Sequence, residues 1–210
     1  PDALDLADLD LLPQRDWDGP IVDYWTPGEA GATERLARFV DGDLVRYDEA
    51  RNSPADDATS HLSPALHFGE LSPRQVWRAV REKMQRTRKA EWNDNGWAFL
   101  REIAWREFSY QLLYHFPHTA DRPLDARFAD FKWSQSKRNL AAWRRGETGY
   151  PIVDAAMNQL WHIGWMHNRL RMIVASFMVK DLRLHWLEGA RWFWDTLVDA
   201  DLANNTMGWQ

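Results

Sequence analysis

The chain contains no cysteine, so neither a disulfide framework nor a thiolate metal site can form. That absence fits a reducing compartment, and a cytoplasmic location is expected. No apolar run approaches the roughly 18 residues of a membrane span. The acidic opening PDALDLADLD lacks the basic and apolar regions of a secretion signal, so no membrane partner is expected. No segment of useful length alternates apolar and polar residues and no period repeats, which argues against strands and solenoids. Positive charge is not in excess, since 26 Lys and Arg against 31 Asp and Glu leave a net charge of −5. A surface coated in basic charge is excluded; a local basic patch that binds phosphates is not.

Metal chemistry finds no support. His115 with His118, and His162 with His167, miss the i,i+4 spacing of a helical ligand pair. Asp199–Asn205 begins like a calcium loop, but Ala203 occupies the fifth position and Asn204 replaces the glycine required at the sixth. What the chain has in excess is tryptophan, 14 in 210 residues. Core packing accounts for many of them, yet the total asks for a further reason.

Residues 1–27 combine Asp2, Asp5, Asp8, Asp10, Asp16, Asp18 and Asp23 with Pro13, Pro20 and Pro27, the composition of an interdomain linker or surface wrap. Residues 28–210 read as one all-α domain. A short amphipathic helix over Glu34–Val40 is closed by Gly42. Ser72-Pro73-Arg74-Gln75 gives an N-cap, a proline at the first helical position and a capping-box glutamine, so a helix should run through Arg81–Lys89. Further helices are expected over Trp97–Phe116, stopped by Pro117, from Pro151, over Trp165–Lys180, and over Glu188–Val198 as the last.

Three segments could carry chemistry. Thr59, Ser60 and Ser63 supply hydroxyls just before a proline-initiated turn, a setting suited to an anion. The plainer account, an N-cap cluster, is favoured by that segment taken alone. Glu102, Trp105, Arg106 and Ser109 fall on one face at i, i+3, i+4 and i+7. Glu102 and Arg106 there could be an ordinary exposed pair, but an indole between a carboxylate and a guanidinium also suits a stacked base with its edge hydrogen-bonded. Asn168, Arg171 and Met172 share a face at i, i+3 and i+4, mixing an amide, a guanidinium and a thioether as a large polar-edged ligand would require. His162 and His167 read as packing or supporting residues.

Five segments together resemble the flavin-binding helical domain of the DNA photolyase and cryptochrome family. They are Thr59–Ser63 (TSHLS), Trp105–Phe108 (WREF), Gly149–Met157 (GYPIVDAAM), Trp165–Met172 (WMHNRLRM) and Asp199–Asn205 (DADLANN), in the family's order from about Asp41 to Gln210. The resemblance is nearest to the class I cyclobutane pyrimidine dimer photolyases, because (6-4) enzymes carry a histidine-rich version of Trp165–Met172. It implies that Tyr47, Thr59, Ser60, His61, Leu62 and Ser63 hold the phosphates and ribityl chain of FAD. Arg106, Asn168, Arg171, Asp199, Asp201 and Asn205 would surround its ring system, with Asp199 paired to Arg171 and Asn205 facing the reactive nitrogen. His61 departs from the arginine or glycine of many relatives, and Phe99 from a frequent tryptophan.

Toward UV-damaged DNA, the resemblance implies that Trp105 stacks on a flipped dimer, Glu102 bonds its carbonyl edge and Met172 touches it. Arg51, Arg106, Asn168 and Arg169 would complete the DNA contacts. Trp209, Trp186 and Trp133 would relay electrons between flavin and surface. The activity implied is that of a deoxyribodipyrimidine photo-lyase, with FAD active in its reduced form, or alternatively a cryptochrome-type blue-light photoreceptor. A monomer without metal is expected. The family's amino-terminal antenna domain, which holds the antenna chromophore, has no counterpart in the sequence, and relatives continue past the point matching Gln210. A fragment, weak or inactive by itself, is therefore expected.

Overall fold

The computed structural model describes residues 5–9, 11 and 17–210. Among them no strand forms, apart from an isolated bridge between Ser134 and Leu184. The helices run in the order α1 (Gly19–Tyr24), α2 (Glu29–Asp41), α3 (Tyr47–Ala50), α4 (Ser63–His67), α5 (Pro73–Thr87), α6 (Ala90–His115), α7 (Lys137–Arg145), α8 (Pro151–Ile163), α9 (Asn168–Ser176), α10 (Trp186–Thr196) and α11 (Leu202–Trp209). The all-α reading therefore holds.

Helix starts follow the chemistry of their caps. At α5 the Gln75 N–H donates to Ser72 Oγ at 3.2 Å, and the Gln75 side chain accepts from the Ser72 N–H at 2.7 Å, a complete capping box. α7 was not anticipated, although Ser136 accepts from the Asn139 N–H and Gly146 closes it in the left-handed conformation. α11 was not anticipated either, because its N-cap Asp201 sits in a motif that reads as a loop.

The helix expected from Trp165 starts three residues later. Gly164, at φ 64°, ends α8 with its Cα hydrogen close to Val198, where a Cβ would fall 2.6 Å from Cγ1. Trp165–His167 then cross to α9, and His167 caps it. α9 passes into a π turn at Phe177–Asp181.

The expected linker 1–27 lies partly outside the described residues (1–4, 10 and 12–16). Within its described part, α1 packs on α8, and the Trp25 indole donates to Ile163 O at 2.7 Å.

Two apolar cores form. One gathers Leu36, Phe39, Leu44, Tyr47, Val76, Val80 and Phe99 from α2, α3, α5 and the first half of α6. The other gathers Trp143, Met157, Leu160, Val174, Met178 and Phe193 from α7 to α10. α6 joins them by packing against α5 at one end and α11 further along. The site lies between the two cores.

Candidate active site

Two cavities, of about 270 Å³ and 340 Å³, share a wall made of Glu102, Arg106, Asn168, Arg171, Asp199, Asp201 and Asn204. The first is lined on its far side by Tyr47, Arg51 and Thr59–Ser63, the second by Trp105, Met172, Asn205 and Trp209.

The hydroxyl segment enters through a backbone twist at His61, which adopts φ 49°. Its ring stacks on Trp165 with centroids 4.1 Å apart, and Nε2 meets Asp57 at 2.9 Å. Burial holds the His61 pKa low despite Asp57. The hydroxyls do not cap α4, which has no side-chain cap at all, so the N-cap account is corrected. Ser63 Oγ instead accepts from the Trp165 indole at 3.3 Å, Ser60 Oγ accepts from the Leu62 N–H at 3.4 Å, and Thr59 Oγ1 is buried without a partner. Leu62 belongs to the first core and borders the cavity from there. Tyr47 packs edge-on against Phe39 and Phe99, and burial pushes its phenol pKa far up.

On α6 the Glu102–Arg106 pair does not form. Glu102 accepts from Arg51 at 2.6 Å, and Arg51 lies over the Tyr47 ring. Arg106 donates to Leu66 O at 3.0 Å and to Tyr110 at 3.2 Å. Trp105 is 54% exposed. Ser109 leaves the expected polar stripe, being buried with its hydroxyl on Trp105 O and Met207.

Arg171 is held by Met166 O at 2.8 Å and by Asp199 at 2.8 Å. The other carboxylate oxygen of Asp199, Oδ1, is buried without a partner. Asp201 accepts from the Asn204 N–H and amide while the Tyr110 hydroxyl donates to its second oxygen. Burial pulls the Asp201 pKa up, but these hydrogen bonds and Arg106 outweigh it, and the carboxylate titrates below its ordinary value. Tyr110 shifts up, through burial first and Asp201 second. Arg169 reaches Asn52 at 3.0 Å. Asn168 on the shared wall and Met172 in the second cavity both stand exposed.

Asn205 borders the second cavity, but its amide is engaged at both ends, donating to Ala190 O at 3.0 Å and accepting from the Trp209 indole at 3.0 Å. Trp209 rests its ring edge on Gly189, where its ring carbons fall well inside contact distance of any Cβ. Trp186 lies one turn earlier on α10, and the Trp133 ring meets it through His185, at centroid distances of 5.1 Å and 5.9 Å. Neither Trp133 nor Trp186 borders the two cavities.

Sequence reasoning missed Tyr110, Asn204 and the cavity-facing role of His167. Tyr110 was within reach, since it follows Arg106 at i+4 on the face already singled out.

A ligand-shaped deficit remains. Thr59 Oγ1, His167 Nε2 and Asp199 Oδ1 are buried, unpartnered and all in residues lining the 270 Å³ cavity. Buried polar groups are normally satisfied, so a cavity offering both donors and acceptors fits a large polar cofactor. Among the described residues no group of three His, Cys, Asp or Glu could hold a metal ion, and no helix is long and apolar enough to cross a membrane.

Comparison with known proteins agrees with that deficit. The family described as the FAD binding domain of DNA photolyase matches residues 99–210. The chain belongs to the DNA photolyase and cryptochrome family, through its helical FAD-binding domain. A relative named deoxyribodipyrimidine photo-lyase, from Agrobacterium fabrum, is 49% identical over 100% of this chain and 43% of its own length. The crystal structure of a class III photolyase from Agrobacterium tumefaciens superimposes with a TM-score of 0.92 at 48% identity, covering 100% of this chain and 43% of that one. A Synechocystis cryptochrome gives 0.85 at 32% identity, covering 95% and 41%. The chain thus spans under half the length of these proteins.

Proposed function

We propose that the chain is the cofactor- and lesion-binding part of a light-dependent DNA repair enzyme that splits cyclobutane pyrimidine dimers. The observation that carries the reading is the shared wall: the 270 Å³ cavity behind it has unsatisfied polar atoms, and the 340 Å³ cavity in front of it has an exposed tryptophan. FAD, bound in its reduced form, supplies an electron to the dimer when excited by blue or near-ultraviolet light.

The residues divide the work by position. Thr59, Ser60 and Ser63 hold the phosphate and ribityl oxygens, and Tyr47 closes that end. Arg106, Arg171, Asp199 and Asp201 fix charge and hydrogen bonding around the ring system in a partly dry setting, where fixed dipoles count for more than in water. Trp105 offers its face to a flipped base, with Glu102, Asn168 and Met172 at the edge, and Arg51 and Arg169 toward the DNA backbone. Extruding a base costs a few kcal/mol for base-flipping enzymes, a group that includes photolyases. Trp209, Trp186 and Trp133 provide the route by which the cofactor is reduced in light. The class I expectation is not carried forward, since the Agrobacterium tumefaciens structure is described as class III.

The Synechocystis likeness favours a second reading, a photoreceptor without repair. Trp105→Ala separates the two. In a repair enzyme it lowers affinity for dimer-containing DNA by about 1–3 kcal/mol, the scale of base–aromatic stacking, and abolishes light-dependent repair. Unchanged affinity favours signalling. A protein lacking flavin absorption overturns both.

A further inference from the structure

The electron route proposed above needs a supply at its outer end. An electron that moves inward along it leaves Trp133 one electron short. What can refill Trp133 is set by the surface around it.

His185 joins the relay to that surface. Its ring packs against Trp133 at 5.1 Å and Trp186 at 5.9 Å between centroids, and it also lines a separate cavity of about 610 Å³. Ser134, the residue after Trp133, lines the same cavity, which shares no wall residue with the two cavities of the site. Its volume is within the range of small-molecule pockets, roughly 300–1,000 Å³.

The charge on its walls is one-sided. Lys137, Arg144 and Arg145 line it, against a single acid, Glu188. Arg144 is held by Glu188 at 2.9 Å and Arg145 by Glu147 at 2.8 Å, whereas Lys137 is exposed and has no acidic partner among the described residues. Residues 131–146 hold five cations (Lys132, Lys137, Arg138, Arg144 and Arg145) and no acid, in a chain whose net charge is −5. A local field of that sign draws small anions. The hydroxyls of Ser134 and Ser136 accept backbone N–H groups at 3.3 Å and 3.2 Å, which leaves each O–H as a donor for a ligand.

We propose that this cavity is a docking site for a small, singly charged anionic reductant that refills the relay through Trp133. This rests on the relay reading above. With ascorbate as the donor, one electron passes from the enediol to the oxidised Trp133 indole and restores the neutral ring. The enediol proton goes to water, and the ascorbyl radical anion leaves. The His185 ring both lines the cavity and packs on Trp133, so the donor need not touch the indole.

Ascorbate is the probe, and the full flavin-loaded protein is the sample. In the dark, titration should move the His185 ring signals in NMR along a saturating curve, and chloride at equal ionic strength should not. After a light flash, the ascorbate-dependent recovery rate of the oxidised tryptophan should level off over the same concentrations. Hydroquinone, an uncharged donor, should give a rate that rises in proportion, without a plateau. Lys137→Glu should weaken ascorbate binding by about three- to tenfold, because it removes one exposed attraction and adds one exposed repulsion. The hydroquinone rate should not change in that variant.

An ascorbate rate that rises in proportion throughout, or His185 signals that ascorbate does not move, overturns the docking site while the relay stands. Saturation that Lys137→Glu leaves untouched puts the donor elsewhere and overturns it too. A wild type in which light oxidises no tryptophan overturns the relay and the proposal together.

Discussion

Arg171 pairs with Asp199 at 2.8 Å inside the wall shared by the two cavities, with the Asp199 side chain 3% exposed and that of Arg171 25%. Removing the carboxylate leaves a half-buried guanidinium without its counter-ion. Asp199→Ala should therefore cost about 3 kcal/mol of stability, the low end for a broken buried pair because Arg171 keeps some water. Urea unfolding measures this, and a loss below about 0.5 kcal/mol would show the pair to be dispensable.

Gly189 leaves room for the Trp209 ring. Gly189→Ala should push that ring aside and destabilise by about 1–3 kcal/mol, the usual cost of overpacking. Tryptophan emission should shift with it, because Trp209 loses its bond to Asn205. Light-driven reduction of bound flavin should slow in the same variant, and an unchanged rate would remove Trp209 from the electron route.

Ser72 and Gln75 satisfy each other's backbone groups at the start of α5. Ser72→Ala should lower stability by about 1 kcal/mol and leave the site alone. FAD affinity is the control: if it falls with stability, α5 is coupled to the cavity.

Mild acid should weaken the fold through three histidines. His61, His167 and His185 are all held below the ordinary 6.5, by burial first in each case. A lowered histidine pKa means that the unfolded chain binds the proton more readily. The stability is thus fully present above 6.5 and is lost as pH falls from 6.5 through the lowered values. Asp201, also lowered, adds a second loss as pH falls below its ordinary 3.8. Urea midpoints at about pH 7.5 and about pH 5 should show the first loss. A flat profile would mean that these rings protonate in place.

Helix type and most helix starts were legible because local chemistry decides them. Ser72, Pro73 and Gln75 set α5 whatever surrounds them, and Pro151 opens α8 as expected. The approach to α9 was not legible. Trp165 has helical spacing, but stacking on His61 and bonding to Ser63 draw it out of the helix, and those partners lie about a hundred residues away in sequence. α11 was hidden because its N-cap Asp201 lies in a motif that reads as a loop. The site residues were named through resemblance, and so was the pairing of Arg171 with Asp199, which the structure bears out; the other partners were not. Glu102 turns to Arg51 across the fold, and the Asn205 amide is spent on Ala190 and Trp209. Spacing along one helix carries no record of such choices.

The cleft falls along the seam between two separately packed interiors, one built from residues 32–103 and the other from residues 143–197. A molecule seated there touches both halves and acts as a keystone. Loading should thus set how much heat the protein tolerates, rising as RT ln(1 + [L]/Kd) with free cofactor. The filled protein should therefore melt above the empty one, by a margin that grows with cofactor concentration.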